Sequence, residues 1–177
     1  MGSWTWRGLY RRVGYDVLMS TGPAAPTSHI AGESVLLEIS STFDMLKLVD
    51  AVSEQFGHMA GLDEDSVHWL AVAVREAVVN GIKHGNAGDN RKRVRVEYTI
   101  ASGDSRPSVV VRVRDEGPGF TVESLADPLA PENVSETSGR GLFLIRTFMD
   151  DVQVRPAADG GCEVVMAKAI NPTLPTG

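Results

Sequence analysis

The segment from 63 to 84 does most to limit what this chain can become. Leu70, Ala73, Val74, Ala77, Val78 and Gly81 recur at the spacing of one helix face. Glu76, Asn80, Lys83 and His84 stand three or four residues apart on the same segment, so the helix also carries a polar stripe. Such a stripe faces water, a ligand or a metal. The pattern predicts a helix over 63–84 that stops near Gly85 and Asn86.

The elements around this helix set the fold class. Residues 35–39 read as a short strand, and Ser41-Thr42-Phe43-Asp44 has the form of a helix N-cap with an acid three residues on. Met45, Leu48, Val49, Val52 and Phe56 then repeat with helical spacing. Runs rich in valine at 94–100 and 109–113, joined by Ser102-Gly103-Asp104-Ser105, predict an antiparallel hairpin. A Gly-, Pro- and Ser-rich stretch spans 115–141, followed by a predicted helix at 142–149 and strands at 152–155 and 163–169. Helices and sequential strands in this order predict an α+β fold, a two-layer sandwich of helices on a mixed, mostly antiparallel sheet.

With 177 residues, the chain is expected to form a single domain over 30–177 after an N-terminal extension over 1–29. The extension holds Trp4, Trp6, Tyr10 and Tyr15 and three arginines against one acid, Asp16, and ends in a turn-rich Gly-Pro-Ala-Ala-Pro run. A composition of 42% hydrophobic and 23% charged residues is that of an ordinary folded domain and excludes a collagen-like or disordered chain. A net charge of −6 disfavours a sequence-independent nucleic-acid binder, which needs Lys and Arg to neutralise phosphates. No apolar run reaches the roughly 20 residues of a membrane helix. The single cysteine, Cys162, permits no internal disulfide, and no secretory signal is evident, so a cytoplasmic location and no membrane association are expected.

Three blocks hold chemistry-bearing residues. The first is the stripe of Glu76, Asn80, Lys83 and His84, whose oxygen donors suit Mg²⁺ and whose lysine suits phosphate. Read alone, it is equally the solvated face of an amphipathic helix. The second is Asp115-Glu116-Gly117-Pro118-Gly119, an acid at a strand end followed by glycines that permit close approach of a ligand, or else an ordinary turn. In the third, Ser138-Gly139-Arg140-Gly141-Leu142, glycines lead into a helix whose first amides favour anionic oxygens. A Walker-type phosphate loop and a dinucleotide fingerprint are both absent from the sequence.

Taken in order, the three blocks resemble the N, G1 and G2 boxes of the GHKL (histidine kinase-like) ATPase superfamily. Glu76-Ala77-Val78-Val79-Asn80 and Gly141-Leu142-Phe143-Leu144-Ile145, with Phe148-Met149-Asp150-Asp151-Val152, bring the likeness nearest to anti-sigma-factor serine-protein kinases of the RsbW/SpoIIAB type. It covers about 35–169, with 127–138 in the place of an ATP lid. Gly160-Gly161-Cys162 sits where a Gly-Thr strand motif often closes the nucleotide site, with cysteine in place of threonine.

The resemblance implies ATP and Mg²⁺ as cofactors. Asn80 would hold the metal, Glu76 would act as general base or merely position a hydroxyl, and Lys83 would neutralise phosphate. His84 would be a supporting group or the polar end of the helix. Asp115 would read the adenine amine, Gly117 and Gly119 would make room for the nucleotide, and Gly139, Arg140, Gly141 and Leu142 would cradle phosphates. The implied function is a serine/threonine-protein kinase acting as an anti-sigma factor. Its partners would be a sigma factor and a STAS-type anti-anti-sigma protein, and it would form a homodimer. The rivals are an ATP-binding module that regulates by binding alone and a simple ATPase.

Overall fold

Alternation along the strands decides which side of the sheet is buried. The computed structural model describes residues 33–101, 106–119, 137–157 and 160–171, with the backbone alone at 137–140. The extension over 1–29, the turn at 102–105 and most of the lid segment therefore lie outside the described residues. Within them run β1 (Ser34–Ser40), α1 (Leu46–Met59), α2 (Glu64–Asn80), β2 (Arg93–Ala101), β3 (Ser108–Asp115), α3 (Thr137–Phe148), β4 (Asp151–Pro156) and β5 (Cys162–Ala169). The strands form one sheet in the order β1-β2-β3-β5-β4, and each of these pairings is antiparallel.

Val94, Val96 and Tyr98 of β2 and Val109, Val111 and Val113 of β3 are buried on one face, with Val96 opposite Val113 and Tyr98 opposite Val111. Leu46, Val49 and Phe56 of α1, Leu70, Val74 and Val78 of α2, and Ile145 of α3 join them in one core. The helices thus cover a single face of the sheet, which is the expected α+β sandwich. The alternate residues of the strands face outward and pair across them, as Arg95 with Glu38 at 2.6 Å and Arg155 with Glu163 at 2.6 Å. No helix among the described residues is long and apolar enough to cross a membrane.

The buried hydroxyl of Tyr98 is satisfied within the core. It lies 2.9 Å from Ser53 Oγ, which itself donates to the Val49 carbonyl at 2.8 Å, and the Tyr98 ring packs 5.3 Å from that of Phe56. At the other end of the helical layer, Trp69 of α2 stacks on Phe148 of α3 with ring centroids 3.5 Å apart and planes 5° from parallel.

Two helix starts and one helix end differ from the sequence pattern. Asp63 caps α2, its carboxylate accepting the Ser66 amide at 2.8 Å, but α1 is preceded by a 3₁₀ turn (Phe43–Met45) with no side-chain cap. Ser41, placed to cap that helix, instead accepts a hydrogen bond from Asn86. The third helix begins at Thr137 rather than near 142, so Gly139 and Gly141 lie inside it. After Asn80 the α-helical winding gives way to a π turn (Gly81–Gly85), closed by the Asn86 amide donating to the Gly81 carbonyl at 2.7 Å.

Leu70 is fully buried, and Leu70→Ala is expected to cost about 2–5 kcal/mol through lost burial and a cavity. Tyr98→Phe, which removes a single hydrogen bond, is expected to cost only about 1 kcal/mol. Urea unfolding measures both, and equal losses would contradict this picture of the core.

Candidate functional site

The inward alternation of Val109, Val111 and Val113 continues one step further, to Asp115. The last rung of the β2–β3 ladder therefore places a carboxylate, opposite Val94, where the pattern calls for an apolar side chain. Asp115 is only 5% exposed. Its Oδ1 accepts from the Gly117 amide at 2.8 Å and the Cys162 amide at 3.2 Å, which offsets part of the cost of burying charge.

Glycines wall this carboxylate because nothing larger fits. A Cβ on Gly85 would stand 2.2 Å from the Asp115 carboxyl carbon, and one on Gly117 would stand 2.2 Å from the Gly85 carbonyl oxygen. A Cβ on Gly161, whose φ is +88°, would meet the Asp115 carbonyl oxygen at 2.1 Å. Gly119, also at positive φ, approaches the Gly161 carbonyl. The π turn thus brings one wall, the segment after β3 a second and the turn before β5 a third.

Asn86 holds these walls together. It is fully buried; its Oδ1 accepts the Glu116 amide at 2.9 Å, and its Nδ2 donates to the Arg93 carbonyl at 2.9 Å and to Ser41 Oγ at 3.2 Å. The sequence motifs contain Gly85 and Gly161 without marking either as a site residue, and Asn86 reads there only as a helix stop. Their importance rests on contacts between distant segments, for which a single sequence carries no periodic signal.

A second cluster forms where α3 crosses the polar stripe of α2. A Cβ on Gly141 would lie 2.9 Å from Glu76 Oε2 and 3.2 Å and 3.6 Å from the two amide atoms of Asn80. Glu76 and Asn80, one helical turn apart, therefore present their polar ends to the same spot beside α3. Leu142 follows, half-buried. Gly139 and Arg140 lie in the first turn of α3, whose amides have no acceptor within the helix itself, and the Arg140 side chain is outside the described atoms. Lys83 and His84 are exposed on the π turn, and the structure joins neither to Glu76 nor to Asp115.

Cys162, where cysteine stands in place of the motif's threonine, donates its backbone amide to Asp115. Its thiol is pushed up to about 12 by burial, with the charges of Asp115 and Glu163 adding to the shift. At the end of the sheet a pocket of about 340 Å³ is lined by Arg93, Arg95 and Arg114 together with Asp115, Glu116, Gly117 and Gly160. These guanidiniums are engaged within the sheet, Arg93 with Ser40 Oγ at 2.7 Å and Arg95 with Glu38.

The donor set fits a nucleotide with a divalent ion. A buried carboxylate in a side-chain-free cradle suits a flat base with an amine to donate, and the oxygens of Glu76 and Asn80 suit a hard cation that keeps water and phosphate as its other ligands. Among the described residues no group of three or more His, Cys, Asp or Glu forms a closed metal cage.

Comparison with known proteins shows the family and the fold. Residues 39–168 match the family described as the histidine kinase-like ATPase domain. The chain is 37% identical over 118 residues to serine-protein kinase RsbW of Listeria monocytogenes serotype 4a (strain HCC23), covering 63% of this chain and 71% of that protein. It is 34% identical over 104 residues to anti-sigma F factor of Clostridium perfringens (strain 13 / Type A), covering 58% and 71%. A crystal structure of RsbU and RsbW domains from Mycobacterium tuberculosis superposes with a TM-score of 0.55 at 18% identity over 77% of this chain, a likeness of fold that spans 32% of that longer chain.

The sole cysteine gives the buried site a chemical test. With its thiol pushed up to about 12 by burial, the native protein holds far less thiolate at pH 8 than an unperturbed cysteine. Alkylation by iodoacetamide at pH 8 is expected to be slow in native protein and fast in urea; equal rates would place Cys162 outside this environment.

Proposed function

The chain belongs to the histidine kinase-like ATPase family, and from that premise we propose that it is an ATP- and Mg²⁺-dependent serine/threonine-protein kinase of the anti-sigma type. The observation that carries the reading is the convergence of Glu76 and Asn80 at Gly141, beside the start of α3. A ligand-binding module has no need of a carboxylate there, whereas transfer to a hydroxyl does. The names of the relatives, serine-protein kinase and anti-sigma F factor, support the same assignment.

In this reading Asp115 accepts a hydrogen bond from the adenine amine, and the glycines at 85, 117, 119 and 161 let the base approach the backbone. The first turn of α3, with Gly139, Arg140, Gly141 and Leu142, receives the phosphates at its amide-rich end. Lys83 adds positive charge from the π turn, and His84 beside it is a supporting group. Asn80 would hold Mg²⁺, which when bound neutralises phosphate charge. Glu76 orients the serine or threonine hydroxyl of a protein acceptor and takes its proton. The hydroxyl oxygen bonds to the γ-phosphorus as the bond to the β,γ-bridging oxygen breaks and ADP leaves.

The acceptor proposed is a STAS-type anti-anti-sigma protein, and the restrained partner is a sigma factor. Residues 30–177 would act as one kinase domain, as a homodimer in the cytoplasm, with 1–29 as an extension. A direct nucleic-acid or membrane contact forms no part of the reading.

The test is phosphate transfer from ATP to a STAS protein encoded beside this chain. Glu76→Gln is expected to slow transfer by about 10²–10⁴-fold, the usual contribution of a general base, while ATP affinity stays within a few-fold. Asn80→Ala is expected to abolish the Mg²⁺-dependent thermal stabilisation by ATP, about 2.7 kcal/mol at one hundred times the dissociation constant. Transfer by Glu76→Gln at the unaltered rate would remove the carboxylate from the reaction. Stabilisation by ATP with no acceptor labelled would make the chain a binding module.

A further inference from the structure

The geometry points to Asn86 as a positioning residue for base recognition, a role that rests on the nucleotide reading above and goes beyond it. The β2–β3 ladder ends at Val94 and Asp115, and the next pair along would be Arg93 and Glu116. Between these two the chain inserts the Asn86 carboxamide, Nδ2 donating to the Arg93 carbonyl and Oδ1 accepting the Glu116 amide. A primary amide offers the donor and acceptor of a peptide group, so Asn86 supplies an extra rung made of side chain. The Glu116 carboxylate accepts the Arg93 amide at 2.9 Å and closes the same junction from its other side.

The rung stands between the two groups whose separation defines the base cradle. Asn86 follows Gly85, the wall that would collide with Asp115 if it carried a Cβ, and its side chain holds the residue after Asp115. One carboxamide therefore fixes both the wall and the carboxylate. Its main chain is equally committed, the amide donating to Gly81 and the carbonyl accepting the Asp89 amide at 3.0 Å, so the residue cannot shift without opening the π turn. The third side-chain bond, to Ser41 Oγ, ties the junction to the end of β1.

The chemistry restricts the position closely. Aspartate would keep an acceptor for Glu116 but face the Arg93 carbonyl with an oxygen, and alanine would remove the side-chain partner of both the part-buried Glu116 amide and the Arg93 carbonyl. Both changes loosen the distance between Gly85 and Asp115 without touching Glu76, Asn80 or the start of α3. The expected signature is a loss at the base and none at the phosphate or the acceptor hydroxyl.

Titration calorimetry with ATP·Mg²⁺ on wild type, Asn86→Ala, Asn86→Asp and Ser41→Ala, all as the full chain, tests this. Leu70→Ala serves as a destabilised control remote from the junction. ATP affinity is expected to fall about tenfold in both Asn86 variants and by no more than twofold in Ser41→Ala and Leu70→Ala, with kcat at saturating ATP within twofold of wild type. Unchanged affinity in a folded Asn86 variant, or an equal loss in Leu70→Ala, overturns the positioning role. So does failure of both Asn86 variants to fold, which would make the residue a determinant of folding instead. A wild-type protein that takes up no ATP overturns the nucleotide reading itself.

Discussion

A carboxylate at the last inward position of β3 governs the rest of the site. Taking a charged group from water into a protein interior costs several kcal/mol unless hydrogen bonds replace the lost hydration. Asp115 recovers two of them from backbone amides, Gly117 and Cys162, which belong to segments 45 residues apart in the chain. Main chain can approach that closely only where there is no side chain, so glycine is required at 85, 117 and 161 together. The end of α2, the turn after β3 and the turn before β5 are all shaped by the same demand.

The second half of the site follows a different rule. Glu76 and Asn80 are held by helix periodicity rather than by a strand end, and Gly141 lets a neighbouring helix pass close above them. A flat, neutral base and a chain of charged phosphates need different surroundings. In the proposed reading the glycine-walled carboxylate at the sheet end serves the base, and the polar surface between α2 and α3 serves the phosphates. Both are anchored to α2, whose far side is locked into the core by Leu70, Val74 and Val78.

Much of this is legible in the sequence. Alternation in β2 and β3 separates inward valines from outward arginines and glutamates, and the spacing of Glu76 and Asn80 puts them on one stripe. The family resemblance then joined three motifs that are individually common. Strand order was not legible, because nothing in the sequence says that β3 lies between β2 and β5. The early start of α3 was hidden by Gly139 and Gly141, which lower helix propensity but are tolerated because α2 packs against one of them. Ser41 has the local pattern of a helix cap, but its hydroxyl is claimed by Asn86, 45 residues away. Cys162 stands in the sequence as a departure from threonine, and what the fold adds is the hydrogen bond from its peptide amide to Asp115.

The stacked pair of Trp69 and Phe148 gives the fold a built-in optical gauge. Of the three tryptophans in the chain, Trp69 is the one among the described residues, and it lies in α2. Its indole lies flat against the last residue of α3, the helix that begins beside Glu76 and Asn80. With Trp4 and Trp6 replaced by phenylalanine, emission would come from Trp69 alone, and its stack on Phe148 would tie that signal to the packing of α3 on α2.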